Sequence, residues 1–297
     1  MQKIAADDFI SILGVKIPYK EKFWKLGDLT SLWKDEKGNF WRLNYERGPL
    51  LYSLIAKFRP TNVLEFGTGG GYSTLCMAWA MSDYNIDGKI FTIDRFSPQV
   101  SFERPINYGN EFLPHIESIS LNELWSKAAQ KNWLNHIVML NGYSGEIMNN
   151  TKFPKIQLAY IDGAHYYDAV KHDFYSTLSV VDKDFGILFD DYIQRPLYGV
   201  KEFIENEVEK NFDTTLIDVD KERNLEKLKI PSDPEYGMCW IHSSSLKEPL
   251  QTLYPESKYL KFLKKHRRYE SLIIKRREKL NSKIPFLAKM KFRWWSK

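Results

Sequence analysis

The chain has 297 residues, and its 43% apolar and 15% aromatic content excludes a disordered protein. The formal charge of +5 conceals an asymmetry, because residues 258–297 carry a net charge of +13 and residues 1–257 a net charge of −8. Two cysteines, Cys76 and Cys239, exclude a disulfide framework and indicate a reducing compartment. Neither a signal-peptide pattern nor an apolar run near the ~20 residues of a membrane span is evident, so we expect a cytoplasmic protein.

The first 45 residues are rich in aromatic side chains and show no clear period. We interpret them as an N-terminal arm that packs on the body of the protein, or as a lip over its site. Apolar residues at helical spacing then predict a helix over residues 47–58, which Pro60 ends.

The sequence VLEFGTGGGYST at residues 63–74 predicts a buried strand, a glycine turn and a helix that begins near Ser73. This arrangement presents backbone N–H groups and the positive end of the helix to a ligand. Glu65 would repel a pyrophosphate, but it would accept a hydrogen bond from an ammonium group or a ribose hydroxyl. The turn therefore favours S-adenosylmethionine over NAD.

A second strand is predicted over residues 88–96 and ends at Asp94. In doubly wound nucleotide folds, a carboxylate at the tip of the second strand binds a ribose diol. The alternative is that Asp94 caps the following turn. Residues 97–120 contain three prolines and have no period, which predicts a long loop that serves as a lid or binding loop. Residues 121–133 return to helical spacing.

Strand and helix patterns alternate through the rest of the body, and the last two strands are expected to pair as a hairpin-like edge. This alternation predicts an α/β fold, a doubly wound, mostly parallel, seven-stranded sheet with helices on both faces. Ligands of such sheets bind at the carboxyl ends of the strands. The remaining predicted strands lie within residues 136–144, 156–162, 186–192, 213–220 and 237–243.

Three carboxylates follow predicted strands, Asp162 after the fourth and Asp190 with Asp191 after the fifth. Their oxygens suit Mg²⁺; alternatively, Asp190 and Asp191 cap a turn and Asp162 orients the loop. His165 follows Asp162 by three residues and could take a proton from a metal-bound hydroxyl, or merely hydrogen-bond a carboxylate. His172 is interpreted as a surface or core residue.

Five motifs occur in a fixed order, namely VLEFGTGGGYST, TIDRF, NGYSGE, YIDGAHYYDAVKHD and ILFDDY. Together they resemble class I S-adenosylmethionine-dependent methyltransferases, most of all the group of catechol O-methyltransferase, macrocin O-methyltransferase and the cephalosporin-biosynthesis methyltransferases. The resemblance covers roughly residues 45–245 and implies a Rossmann-like methyltransferase fold. The cofactor-binding residues that it implies are Glu65, Gly67 and Gly69 for the methionine moiety, Tyr72 and Ser73 as the family's Tyr-Ser pair, Asp94 for ribose and Ser144 for adenine.

The resemblance also implies the chemistry. The Mg²⁺ ligands of the catechol enzyme correspond to Asp162, Asp190 and Asp191, with Asp191 in the place of an Asn. The base of that enzyme is a Lys three residues after the metal-binding Asp, and here this position is His165. The implied activity is transfer of a methyl group to a hydroxyl of a small molecule or glycan, with Mg²⁺ assistance and with His165 and Asp162 as catalytic residues.

The C-terminal segment is basic, and residues 256–281 predict a helix. Residues 284–297, IPFLAKMKFRWWSK, interleave Lys and Arg with Phe and Trp. An anionic membrane surface, nucleic acid phosphates, or the acidic body of the same or a neighbouring subunit could each bind such a segment. The first would place the protein at the inner membrane face, and the last would allow a homo-oligomer. The predicted organisation is an arm at 1–45, a methyltransferase domain at 46–245 and a basic tail at 246–297.

Two other functions stay open. An RNA methyltransferase recruited by the tail is disfavoured because the body is acidic. A non-catalytic nucleotide-binding or interaction module is disfavoured because the motifs supply both a cofactor half and an acceptor half of an active site.

Overall fold

The structure is a computed structural model that describes residues 1–42, 45–109, 113–219, 237–250 and 256–283. The strands are β1 (Gln2–Ala5), β2 (Leu32–Lys34), β3 (Phe40–Arg42), β4 (Asn62–Phe66), β5 (Lys89–Asp94), β6 (Ser101–Ile106), β7 (His115–Ser120), β8 (Ile137–Asn141), β9 (Ile156–Ile161), β10 (Val181–Tyr192), β11 (Thr215–Asp218) and β12 (Gly237–His242). The helices are α1 (Ala6–Leu13), α2 (Lys20–Thr30), α3 (Arg47–Phe58), α4 (Tyr72–Asp83), α5 (Leu121–Ala128), α6 (Lys131–Leu134), α7 (Ser144–Asn150), α8 (Tyr167–Leu178), α9 (Val200–Phe203) with a π-helical continuation (Ile204–Val208), and α10 (Glu256–Lys283).

The central sheet has the strand order β1-β11-β12-β10-β9-β4-β5-β8 in the described part of the chain. All of its pairs are parallel except those of β12, which is antiparallel to both β10 and β11. The predicted doubly wound, mostly parallel, Rossmann-like α/β sheet is therefore confirmed, and each of the seven predicted strands has a counterpart.

The N-terminal edge of the sheet differs from the prediction. β1 pairs with β11 in parallel, from Gln2 opposite Thr215 to Ala5 opposite Asp218, and so adds an eighth strand. The last two predicted strands, β11 and β12, do pair antiparallel, but they do not form the edge. The prediction missed β1 because four residues without alternation carry no strand signal, and the strand depends on a partner more than two hundred residues away.

The sheet is covered on both faces, as its apolar strands require. In β4, Val63 contributes to an apolar core with α3 and α4, and its neighbour Leu64 to a second core with α8 and α9. Side chains alternate between the faces of a strand, so consecutive apolar residues serve both cores. β4 thus lies between the two cores, and the turn that follows it lies at the carboxyl edge of the sheet.

The predicted loop at residues 97–120 is wrong over most of its length. β6 and β7 form an antiparallel hairpin from Ser101 opposite Ser120 to Ile106 opposite His115, with residues 110–112 outside the described ranges. Pro105 is tolerated because the hairpin forms a separate two-stranded sheet. Long-range contacts fix the hairpin, among them the N–H of Asn107, which donates to the carbonyl of Asp28. The predicted helix over 121–133 is divided into α5 and α6.

Helix α10 confirms the helix predicted at the start of the basic tail and lies against α7 and α8. Tyr259, Leu263 and His266 are buried in this contact. None of the described helices combines the length and the apolar character needed to cross a bilayer. Residues 220–236 and 284–297, which include the Trp-rich end of the tail, lie outside the described residues.

Candidate active site

The glycine turn after β4 brings two strand tips together. Gly67 has φ +89°, and a Cβ at this position would come within 2.1 Å of the carbonyl oxygen of Asp162, at the tip of β9. Gly69 also has a positive φ, +56°, but a Cβ there would meet no atom within 4 Å. Only glycine adopts this backbone conformation freely. The turn is therefore packed tightly on one side and open on the other, where a ligand can approach.

Glu65 lies beneath the turn and has no exposed surface. It accepts hydrogen bonds from the hydroxyls of Ser73 and Thr74, each at 2.5 Å. Burial raises the pKa of Glu65 to about 7, against the effect of these donors. Tyr72 is also buried and donates to the carbonyl of Tyr45 at 2.8 Å. The predicted cofactor residues Glu65, Tyr72 and Ser73 thus hold the turn from below.

Asp94 at the tip of β5 faces the same turn. Its Oδ2 accepts from the backbone N–H groups of Thr68 at 3.1 Å and Gly69 at 3.0 Å, and its Oδ1 from that of Phe96 at 2.8 Å. Gly142, two residues before Ser144, donates its N–H to the carbonyl of Asp94 at 2.8 Å. Asp94 therefore caps two turns, as the alternative interpretation expected, and its backbone bonds to the turn that precedes Ser144.

His165 stands at the carboxyl edge between β9 and α8, with 31% of its side chain exposed. Its Nε2 lies 3.2 Å from Oδ2 of Asp191 and 3.7 Å from Oδ1 of Asp162. Burial lowers the pKa of His165, but the two carboxylates outweigh this effect and raise it to about 9. The structure thus brings together a histidine and two of the three predicted acidic residues.

A backbone irregularity at the end of β10 shapes this cluster. Asp191 has φ +53°, which is uncommon for a residue other than glycine, and the pairing of β10 with β12 shifts register between Phe189 and Tyr192. Neighbouring side chains of a regular strand point to opposite faces. The irregular backbone accordingly allows Asp190 to pair with Arg47 while Asp191 lies beside His165, and strained backbone of this kind is concentrated at functional sites.

Sequence analysis missed Arg47, the first residue of α3. Its Nη2 pairs with Asp190, and its Nη1 lies 3.3 Å from Oδ2 of Asp162. Tyr160 donates its hydroxyl to Asp190 at 2.6 Å. Burial raises the pKa of Asp190 although the charge of Arg47 opposes this. The sequence did contain one signal for such a residue. Three carboxylates at the strand ends are an excess of negative charge, and buried charges require a counter-ion.

The structure brings together two of the three predicted Mg²⁺ ligands, Asp162 and Asp191, and separates the third. In the described part of the chain, the residues that could hold a metal ion together are Asp162, His165 and Asp191, with one ligand atom of each within 4.8 Å of the others. Asp190 is engaged by Arg47 and Tyr160 instead. An imidazole nitrogen with two carboxylates differs from the all-oxygen set that Mg²⁺ prefers.

Known proteins resemble parts of this chain. A 144-residue segment, 48% of this chain, is 23% identical to the uncharacterized protein y4gI of Sinorhizobium fredii, and it covers 14% of that relative's length. The O-methyltransferase TomG of Streptomyces achromogenes, involved in tomaymycin synthesis and solved with S-adenosylmethionine, aligns over 78% of this chain and 93% of its own, with 15% identity and a TM-score of 0.49. The Bacillus cereus O-methyltransferase solved with S-adenosylhomocysteine aligns over 80% and 96%, with 15% identity and a TM-score of 0.47.

A family model described as a methyltransferase domain matches residues 64–192. This range begins within β4 and ends at the last residue of β10, so it contains the glycine turn, Asp94 and the Asp162–His165–Asp191 cluster. The part of the chain that builds the carboxyl edge is thus the part that matches the methyltransferase domain family.

Proposed function

We propose that this protein is an S-adenosylmethionine-dependent methyltransferase that acts on a hydroxyl group of a small molecule or glycan. The observation that carries the proposal is the contact of Gly67 with Asp162, which joins a nucleotide-type glycine turn to a histidine–carboxylate cluster at one edge of the sheet. Ligands of open α/β sheets bind at this edge. The match of residues 64–192 to a methyltransferase domain supports methyl transfer over other nucleotide chemistry.

The cofactor half consists of the open side of the turn at Gly69, together with Asp94 and Ser144. A carboxylate has about four acceptor positions, and three backbone N–H groups already bond to Asp94, so about one position is left for a ribose hydroxyl. When bound, S-adenosylmethionine supplies an electrophilic methyl group on a positively charged sulfur. The buried Glu65 keeps the turn in shape through Ser73 and Thr74.

The acceptor half consists of His165 and the carboxylates beside it. Nε2 of His165 faces Asp191, and its Nδ1 makes no hydrogen bond to the described residues, so Nδ1 is the nitrogen that can take a proton. Bound S-adenosylmethionine would bring a positive charge to this edge of the sheet, and His165 would then release its own proton more readily, because like charges disfavour the protonated form. Nδ1 of His165 would accept the proton of the acceptor hydroxyl as that oxygen takes the methyl group that the cofactor supplies.

Mg²⁺ assistance, predicted from the sequence, has less support than methyl transfer itself. Arg47 carries positive charge to Asp162 and Asp190, where the resemblance implied the ion. We therefore derive no step through a metal. We expect turnover to persist in excess EDTA, and full loss with chelator that Mg²⁺ restores would reinstate the metal-assisted reaction.

Calorimetric titration tests the cofactor half directly. We expect S-adenosylmethionine to bind and NAD not to bind. Asp94→Asn should weaken the binding of S-adenosylmethionine at least tenfold, which is about 1.4 kcal/mol. Asp87→Asn makes the same charge change at the exposed amino end of the same strand and should have no effect. Preference for NAD, or equal affinities for the two variants, would refute the assignment.

A further inference from the structure

Helix α10 has two faces of different character. Among the side chains described for residues 259–276, the exposed charged ones are all basic, and they are spaced three and four apart along much of the helix, so that they form one stripe. At 1.5 Å per residue the stripe is about 22 Å long. We call this the cationic face, and its members are Lys261, Lys264, Lys265, Arg268, Lys275 and Arg276.

The inner face is fixed to the body of the protein. The rings of Tyr175 and Tyr259 approach to 3.9 Å between centroids, and those of His172 and His266 stack at 4.8 Å. Arg267 donates from Nη1 to Oδ1 of Asn149 at 3.2 Å. These contacts set the rotation of α10 about its axis. The helix cannot turn to bury its lysines, so the cationic face stays directed to solvent.

Acidic side chains of the described residues do not pair with the charges of the cationic face. Within the side chains that the structure describes, its six members form no ion pair with an acidic residue. Apolar side chains lie among them, with Leu260 40%, Tyr269 60% and Leu272 51% exposed. An outer face that mixes basic and apolar residues suits the interface of a lipid bilayer, where both kinds of side chain find partners.

We propose that the cationic face of α10 binds an anionic membrane surface. Charge complementarity carries the choice of partner, since headgroup phosphates would meet the six cations while Leu260 and Leu272 reach the acyl boundary. A nucleic acid offers phosphates but no apolar layer for Leu260 and Leu272, so the mixed character of this face favours the bilayer. The proposal does not depend on methyl transfer.

Vesicle sedimentation of the full chain tests the surface. We expect binding to phosphatidylcholine vesicles that contain phosphatidylserine, little binding to phosphatidylcholine alone, and release by high salt. The variant Lys261→Gln, Lys264→Gln, Lys265→Gln, Arg268→Gln should bind about a hundredfold or more weakly, because each cation near the surface contributes about a fivefold factor. All four side chains are exposed, so its melting temperature should be unchanged.

A matched control removes the same number of exposed basic residues elsewhere, through Lys16→Gln, Lys22→Gln, Lys25→Gln and Lys57→Gln. This control should bind vesicles as the parent does. Equal losses in the two variants, equal binding to neutral vesicles, or binding that salt does not weaken would overturn the proposal. So would single-stranded RNA binding that the first variant abolishes while it retains vesicle binding.

Discussion

Two histidines seven residues apart, His165 and His172, both lie beside aspartates but in contrasting surroundings. His165 stands at the rim, partly exposed, with one ring nitrogen facing carboxylates. His172 is fully buried in α8, where Nδ1 donates to Asp173 at 2.9 Å and Nε2 accepts from the hydroxyl of Ser176 at 3.2 Å. A histidine beside an aspartate can therefore take part in a reaction at the edge of the sheet, or attach one helix to another in the interior. Access and unused hydrogen-bonding capacity, rather than residue identity, distinguish the two.

The buried group has the composition of a hydrolytic triad but not its setting. Ser176, His172 and Asp173 come from one helix and are almost completely buried. Arg267 of α10 approaches Nε2 of His172 at 3.4 Å and Oγ of Ser176 at 3.5 Å. A substrate carbonyl would have to occupy the space that Arg267 fills. We conclude that this group attaches α10 to the body of the protein.

The largest effect on activity is expected for His165, at the carboxyl edge of the sheet. His165→Asn should lower the rate of methyl transfer about 10²–10⁴-fold, since it removes the proposed base. The affinity for S-adenosylmethionine and the melting temperature should change little, because His165 lies outside the cofactor half and is partly exposed. Single-turnover kinetics with an accepted hydroxyl compound measures the change. A variant with parental turnover would remove His165 from the reaction.

Glu65 provides a pH test of the same edge. Its pKa is raised from 4.5 to about 7 in the folded protein, which therefore binds the proton more tightly than the unfolded chain does. The resulting stability is fully present below about pH 4.5 and is lost as pH rises through about 7, a change of about 3 kcal/mol. Glu65→Gln should remove this loss. Urea unfolding of parent and variant at several pH values measures it, and parallel curves would contradict it.

The buried histidine should give the reverse pattern to His165. His172→Ala should cost about 2 kcal/mol of unfolding free energy, because it leaves Asp173 and Ser176 buried without their partner. The rate of methyl transfer per folded molecule should be nearly unchanged. Denaturant unfolding gives the stability, and His115→Ala, at an exposed histidine, is the control, with a change within about 0.5 kcal/mol. A large loss of turnover in the folded His172 variant would erase the contrast.

The smallest effect is expected where α10, attached through the buried histidine, contacts α7 beside the cofactor half. Glu270 of α10 lies against the first turn of α7, next to Ser144, where a Cβ on Gly145 would collide with its Oε2. Burial raises the pKa of Glu270, and the backbone N–H groups of Gly145 and Glu146 oppose this. Its removal in Glu270→Ala should cost about 1 kcal/mol, as the loss of a helix cap does, and weaken S-adenosylmethionine binding less than tenfold. Glu270→Gln keeps an acceptor and should be milder. If both variants bind the cofactor as the parent does, the interface does not support the cofactor half.

What the sequence predicted correctly has local causes. The apolar strand before Gly67 and the carboxylates at the ends of β5, β9 and β10 placed Asp94, Asp162 and Asp191 at one edge, because parallel strands align their ends. The missed features arise from contacts between distant segments. Arg47 reaches Asp162 across more than a hundred residues.

Another missed feature centres on Asp28, which joins several elements of the N-terminal region. It accepts from Nε and Nη2 of Arg42, from the hydroxyl of Tyr45 and from the side-chain amide of Asn107. Asn107 lies just after β6, so this cluster links the hairpin to α2 and β3. The propensities of single residues do not reveal which distant residues will bond to Asp28. A strand that precedes a glycine turn, by contrast, can be recognised from consecutive residues.

The contact between Gly67 and the backbone of Asp162 has a consequence for the order of events. With no space for even one added carbon between them, the cofactor turn and the tip of β9 cannot move independently. A ligand that binds at the turn therefore fixes the position of Asp162 before an acceptor binds. We expect the loaded protein to bind the acceptor more tightly than the empty one and, by thermodynamic reciprocity, a bound acceptor to tighten cofactor binding by the same factor.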